Sequence, residues 1–492
     1  MSLNQDKVYY SLSQKVVMVL SLCLLLNSFL IQVYDWQWLN FTTDQFSLIC
    51  IFIGSLLLWL FVALDWPSLL TLLALSFIGD YDLAKIASLS FGNSTFVFLF
   101  LTFIVTAALN QTSCLSRLTA WALNQAWVQE QPRRFIRVML LVFLALAMIF
   151  SPSVLFMFVF PIYEELCQQF NWQKGESSAA YLLFAVYATL AIGTAMTPIN
   201  HVFAITAMGI YQSASGQGIS NFQYMQIGIP TGLLIFAVLL LSLRYVFPLK
   251  IDKMHISDIK SIQVTGRLTL REKIVGALFL LMVALWILPE LMTGLWPAFS
   301  LMIKNAGIVF PPLLVAILMA MIVIDGEPLL NIPQTMSKGV HWPSLLLVAA
   351  TLCLGSIIAS PELGLVDLIN QTFSTWFQGL PVLLFILLFV VWAGLQTNLS
   401  SNLVTVSMVT TVAVSLIGSS AMQDIHLNVL ACLIGLMASL AWMTPPAMPY
   451  VAISIGSGWI HSRQSLTLGL WLLFWSILIV SFIAYPLGMV LI

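Results

Sequence analysis

The chain has 492 residues, 18 of them Lys or Arg and 19 Asp or Glu, a net charge of −1. With 8% charged and 60% apolar residues, it carries far less charge than the roughly 25% of an ordinary soluble chain. That rules against a soluble enzyme, a nucleic-acid binder and a disordered scaffold, since a soluble surface of this size needs more charge.

At about 20 residues per crossing, the apolar residues suffice for roughly ten to fourteen spans. The reading is an all-α polytopic membrane protein. Apolar runs lie near 16–33, 46–64, 67–79, 94–112, 182–210, 222–247, 274–293, 308–324, 342–360, 428–459 and 466–490. Val16–Val33 is span-length without a small-residue cleavage site, so it is expected to be a first helix rather than a removable signal. The six cysteines (Cys23, Cys50, Cys114, Cys167, Cys353, Cys432) show no CxxC spacing. Neither a disulfide framework, a metal cluster nor a cofactor is expected.

Two further apolar stretches, 135–163 and 379–420, are interrupted by polar residues. Orientation decides how they run. The segment 113–137 holds Arg117, Arg133, Arg134 and Arg137, and the segment from Arg244 to Lys273, two spans beyond the first stretch, holds Arg244, Lys250, Lys253, Lys260, Arg267, Arg271 and Lys273. Both basic segments stay cytoplasmic only if 135–163 enters and leaves from one side. One kinked helix over Val138–Ile162 would place one segment outside. Re-entrance keeps 16 of the 18 basic residues inside, with Lys85 and Lys304 outside. Leu380–Gly418 spans 39 residues between flanks that hold Glu362, Asp367 and Asp424 without Lys or Arg. It is expected to open outward. The N-terminus is then inside and the C-terminus outside, over eleven spans.

The two interruptions repeat in order. Ser151-Pro152-Ser153 and Ser401-Asn402-Leu403 lie 250 residues apart, and each is followed by a span with Thr-Pro, Thr197-Pro198 and Thr444-Pro445, 247 apart. The expected division is a lead-in 1–45, a first repeat 46–248, a linker 249–273 and a second repeat 274–492. Each repeat holds five crossings and a hairpin, so the two are inverted. Ser-Pro-Ser alone is usually a kink with satisfied hydroxyls, and Ser-Ser-Asn is often helix–helix glue. Recurrence in opposite orientation is what makes them a transporter signature.

Irregular backbone survives at membrane depth only where protein buries it or a wet cavity meets it. Helix N-termini there attract anions, and freed carbonyls suit a hard cation such as Na⁺. The tips add Ser151, Ser153, Thr397, Asn398, Ser400, Ser401 and Asn402, and the broken spans add Thr197, Asn200 and Thr444. Neither tip holds Lys, Arg, His or a carboxylate, so an anion would meet neutral donors and no proton relay is evident. His201 reads as a structural histidine, and Glu164 and Glu165 as solvated charges. No HExxH, intramembrane Asp pair or GxxxxGK[ST] is present, which argues against an enzyme or an ATP-driven pump.

With Gly193-Thr194-Ala195-Met196-Thr197-Pro198-Ile199-Asn200, Ser401-Asn402, Thr444-Pro445-Pro446 and Gly456-Ser457-Gly458, the chain resembles the divalent anion:sodium symporter family of the ion transporter superfamily. The resemblance implies an elevator-type homodimer that moves di- or tricarboxylates, or sulfate in some members, as sodium symporter or sodium-independent exchanger. Carried onto this sequence, the substrate is expected at Ser151, Ser153, Thr197, Pro198, Ser401, Asn402, Thr444 and Pro445. A coupling cation is expected at Ser151, Gly193, Asn200, Thr397, Ser400 and Asn402. The chain departs from the family's first Ser-Asn-Thr at Pro152, which removes an amide and a backbone donor. Leu403 and Ala447 depart in the second half. A site with fewer polar groups points to a smaller or more apolar carboxylate than succinate. Other readings are an anion exchanger without sodium, a carrier of sulfate, and a non-transporting sensor on the same fold.

Overall fold

A computed structural model describes residues 10–37, 41–199, 201–251, 268–365, 381–415 and 425–492. Asn200, Asp367, Asp424, most of the 249–273 linker and the end of the second interrupted stretch lie outside the described residues.

Helices α1 (Leu12–Tyr34) and α2 (Thr43–Phe61) open the fold. Each begins with a capping box, Ser11 with Gln14 and Thr42 with Gln45, so the first turn's donors are satisfied by the sequence itself. They run antiparallel: Gln14 at the start of α1 donates to Phe61 O at the end of α2. The third expected crossing, 67–79, is shorter than its apolar run. Here α3 is Trp66–Leu75, about 15 Å long, because Pro67 sets its start and the chain turns at Gly79, which has φ +45°.

Next come α4 (Leu83–Ser90) and α5 (Ser94–Asn110), bent by 52°. The segment expected as a basic loop holds α6 (Cys114–Leu123) and α7 (Ala126–Gln129). The first interrupted stretch is a hairpin of α8 (Pro132–Ala147) and α9 (Pro152–Gln169). Then follow α10 (Ser177–Met196), α11 (Val202–Ser215) and α12 (Asn221–Tyr245).

The second half opens with α13 (Leu270–Leu291), and α14 (Pro297–Ala306) bends into α15 (Phe310–Met321) by 82°. A short β-hairpin, β1 (Val323–Ile324) and β2 (Glu327–Pro328), turns through Asp325 and Gly326, both at positive φ, as a two-residue hairpin loop demands. Then α16 (Ile332–Lys338) meets α17 (Trp342–Ile358) at 83°. The second hairpin is α18 (Val382–Leu399) and α19 (Asn402–Ser415). The chain closes with α20 (Leu427–Ser439), α21 (Pro449–Gly456) and α22 (Ser462–Leu491), which contains a π turn at Val480–Ala484.

From the bent pairs α4–α5 and α16–α17 onward the element order of the two halves matches, hairpin to hairpin and broken helix to broken helix; α14–α15 is a further bent pair of the second half. Gly92 and Gly339, 247 apart, mark the two equivalent bends. Seven described helices are long and apolar enough to cross a membrane alone, and three bent pairs pass together. The first hairpin is re-entrant. After it, Trp172 Nε1 donates to Lys250 O (3.2 Å) and Lys174 Nζ to Ser457 O (2.9 Å). At its start, Arg133 and Arg137 line one cavity with Arg244. Both outer ends thus sit on one basic face, which sets aside the single kinked helix. The opposite face carries the chain's C-terminus, where Asn428 Nδ2 donates to Ile492 O (3.0 Å).

Helix α10 is buried from Ser178 to Met196 and α20 from Val429 to Ser439. Apolar on every side, they form the centre of the molecule. Gly435 of α20 approaches Ala204 and Ala207 of α11 so closely that a Cβ there would sit 2.9 Å from Ala204 Cα. Small residues permit this contact between the broken helices of the two halves.

Candidate substrate site

Each broken helix is held by the tip of its hairpin, and the bonding follows the internal repeat. Thr197, just after α10, donates from Oγ1 to Met148 O (2.5 Å) at the first tip. Thr444, after α20, donates to Asn398 O at the second. The threonines are 247 residues apart and their acceptors 250.

Beyond that shared bond the halves differ. His201 Nε2 donates to Ala147 O (2.8 Å) at the first tip. At the second tip the hairpin supplies the side chains. Asn398 Oδ1 accepts from Trp442 N (2.8 Å) and Met443 N (2.9 Å), while its Nδ2 donates to Gly394 O and Leu440 O (both 2.9 Å). Thr397 Oγ1 donates to Ala438 O (2.7 Å). With its amide oriented to satisfy both groups, Asn402 donates to Thr397 O (3.1 Å) and Ala447 O (2.9 Å). Ala147, Met148 and Pro152 stand where the second tip has Thr397, Asn398 and Asn402.

The following span of each half receives the carbonyls that the break releases. Tyr224 OH donates to Ala195 O (2.8 Å), and Ser465 Oγ to Met443 O (3.0 Å) and Trp442 O (3.2 Å). This is how interrupted backbone is satisfied without lipid-exposed polar groups.

A cavity of about 570 Å³ opens beside the first tip. It is lined by Ser151, Ser153, Thr194 and His201, with Met448 from the second break. The lining also includes Asn110 at the end of α5, Gln111 just after it, Lys338 at the end of α16, and His341. Ser151 is the N-cap of α9, yet its hydroxyl makes no capping bond. Pro152 occupies the first helical position, where a missing N–H costs least. The first unsatisfied donors are therefore the N–H groups at Ser153 and beyond, at the positive end of an 18-residue helix. Among the described residues lining the cavity, Lys338 alone is of the Lys, Arg, Asp or Glu type. A smaller cavity of about 290 Å³ shares Gln111, Gln334 and Thr335 and leads to Arg271, so the larger one faces the basic side. Arg271 also braces the β-hairpin end through Pro328 O (2.6 Å).

Of the expected substrate residues, Ser151 and Ser153 line this cavity. Thr197 and Pro198 are buried behind the first tip. Ser401 is half-buried, its carbonyl accepting from Thr405, while Pro445 is exposed. Asn402 and Thr444 belong to the second clasp. Of the expected cation residues, Gly193 packs where a Cβ would lie 2.6 Å from Leu144 O. Ser400 Oγ donates to Gln396 O (3.0 Å), and Thr397 is in the clasp. Asn200 is not among the described residues.

Residues 40–492 match the family profile described as the sodium:sulfate symporter transmembrane region. The chain belongs to the sodium:sulfate symporter family. It is therefore a multi-pass membrane protein of a transporter family rather than an enzyme family. It is 26% identical over 479 residues to the sodium-dependent dicarboxylate transporter SdcS of Staphylococcus saprophyticus, covering 91% of this chain and 88% of that one. It is 26% identical over 322 residues to SdcS of Staphylococcus aureus, covering 64% and 60%. In fold it resembles the Alcanivorax borkumensis YdaH transporter, described as having an unusual topology, with a TM-score of 0.59 at 13% identity over 97% of both chains.

Several residues of this sodium:sulfate symporter family member were not singled out by sequence. Lys338 meets Ser151 only through the fold. Tyr224 and Ser465, however, are both the fourth residue of their helix and 241 apart, as are Gly228 and Gly469. Each glycine accepts the Met that precedes Thr-Pro, Met196 or Met443. Extending the repeat into the following span would have found all four.

Proposed function

We propose that this protein is a sodium-driven secondary carrier of small organic anions of the dicarboxylate class. The observation that carries the reading is one cavity lined both by the N-terminus of α9, with Ser151 and Ser153, and by Lys338. A carboxylate there meets unsatisfied N–H donors, two hydroxyls and a nearby cation. The naming of SdcS as a sodium-dependent dicarboxylate transporter supports the same substrate class. Ser401, Asn402, Thr444 and Pro445 would complete the anion site from the second half when the tips approach each other, with Thr197 and Pro198 behind the first. Sodium, as cargo, would use the oxygens around Thr397, Ser400 and Asn402. A second ion would need Ser151, Gly193 and Asn200.

The hairpins and broken helices would slide as one body against α1–α5 and α13–α17 in a homodimer of elevator type. By the distribution of Lys and Arg, the basic face and the N-terminus are cytoplasmic and the C-terminus outside, in a bacterial-type cell membrane. The two inverted repeats at 46–248 and 274–492 are part of this reading.

Labelled succinate uptake into proteoliposomes preloaded with unlabelled succinate tests it, once in sodium and once in choline. Uptake confined to sodium is expected. Equal uptake in both buffers would replace symport by exchange, a second reading favoured by Ala147, Met148 and Pro152 at the first tip. Absence of uptake for succinate and other dicarboxylates would refute the substrate class.

Lys338 gives a separate expectation. A charge pair about 4 Å apart in water is worth about 1 kcal/mol, so Lys338→Gln is expected to raise the half-saturating anion concentration at the basic face about fivefold. Lys338→Arg is expected to restore it, and the maximal rate to change little. Equal half-saturation for all three proteins would remove Lys338 from the site.

A further inference from the structure

A second cavity, of about 480 Å³, lies on the basic face away from the substrate site. Arg133 and Arg137 of α8 line it, with Arg244 from the last turn of α12. Leu140, Leu240, Leu241, Leu243, Leu249 and Ile251 supply its apolar lining.

The charge is one-sided. The neighbouring Arg134 pairs with Glu130 at 3.6 Å and donates to Trp127 O. Among the described residues, no carboxylate lines the cavity or forms an ion pair with Arg133, Arg137 or Arg244. Arg137 Nε donates to Arg133 O (3.1 Å), which leaves the rest of its guanidinium for a ligand. Arg244 lies 5.1 Å from the centre of the Tyr245 ring. Three guanidinium groups over aliphatic side chains match a ligand with an anionic, oxygen-rich head and hydrocarbon tails.

Depth points the same way. Trp471 Nε1 donates to Ser242 Oγ (2.9 Å), and Phe247 packs 6.3 Å from Trp471. Together with Tyr245, these place the end of α12 in the aromatic belt of a membrane interface. Basic pockets between spans at this level take anionic lipid headgroups.

We propose that this cavity binds the phosphodiester head of an anionic glycerophospholipid, with the acyl chains running along the half-buried Leu240 and the exposed Leu241. The lipid would bridge the outer end of the first hairpin and the span that follows the first broken helix. The site does not depend on which anion the protein carries.

The test uses the full-length purified protein in neutral detergent. Native mass spectrometry and thermal unfolding are followed as phosphatidylglycerol or phosphatidylcholine is added. Wild type is expected to retain phosphatidylglycerol and to be stabilised by it, and not by phosphatidylcholine. The Arg133→Gln/Arg137→Gln/Arg244→Gln variant is expected to bind at least about tenfold more weakly, since each lost bond to a charged group matters by a factor of this order. Arg134→Gln is expected to bind as wild type does. Should the triple variant fail to fold, Arg244→Gln alone is expected to weaken phosphatidylglycerol binding at least about threefold. Equal binding by wild type and arginine variants, stabilisation by phosphatidylcholine to the same degree, or stabilisation by inorganic phosphate alone would each overturn the proposal.

Discussion

Replacing Asn398 with Ala is expected to bring anion uptake down to background and to lower the thermal stability of the purified protein. One buried amide here accepts from two backbone N–H groups and donates to two carbonyls. Leaving a buried donor unpaired costs about 1–3 kcal/mol, and at membrane depth no water stands in. Loss of both acceptor bonds is therefore expected to cost about 2–4 kcal/mol. Asn398→Asp keeps the acceptor but loses the donors and adds charge, so it is expected to fold less stably than wild type and to transport weakly. Wild-type uptake and an unchanged melting point for Asn398→Ala would show that the second break holds its shape without this clasp.

Gly228→Ala is expected to be nearly as damaging although it adds one methyl group. That Cβ would sit 2.6 Å from Met196 O, a backbone atom that can move only if the broken helix moves. Overpacking of this kind costs about 1–3 kcal/mol, and here it displaces Thr197 from Met148 O. Uptake is expected to fall at least about tenfold, with a lower melting point in detergent. The repeat supplies a control. At Gly469 the added methyl meets first Cγ of Met443 and then the Trp442 ring, side-chain atoms that can yield by repacking where a carbonyl of the broken helix cannot. Gly469→Ala is therefore expected to be the milder variant. The reverse order in melting points would mean that the two breaks do not rest on their glycines as described.

Much of this architecture is legible in the sequence because a bilayer enforces simple rules. Long apolar runs mark the crossings, and the arginines around 133–137 and 244 put both ends of the first hairpin on one face. The Thr-Pro pair at 197 and 444 marks the breaks themselves. Other features depend on tertiary contact. α3 stops at Leu75 although the apolar run continues, because the turn at Gly79 ends it. α6 and α7 lie in a stretch that reads as a polar loop. The role of Asn398 depends on which way its amide points, and Lys338 is 187 residues from Ser151 in the chain. No local pattern joins positions so distant.

The unequal fastening of the two tips has a thermodynamic consequence. Among the described residues, the second tip is tied by Thr397, Asn398, Asn402 and Thr444, the first by Thr197 and His201. Among these residues the two halves share a plan but not the same set of fastenings. Where side-chain bonds are fewer, the free energy of local opening is lower, so on the bonds of the described residues thermal fluctuation is expected to concentrate at the first tip. A ligand that seats there loses affinity to the ordering it must impose, and whatever orders that tip beforehand raises its affinity by the same amount. For a symporter of the kind proposed, cooperativity between cargoes would arise from the compliance of one latch, without any change in the bonds that either cargo makes.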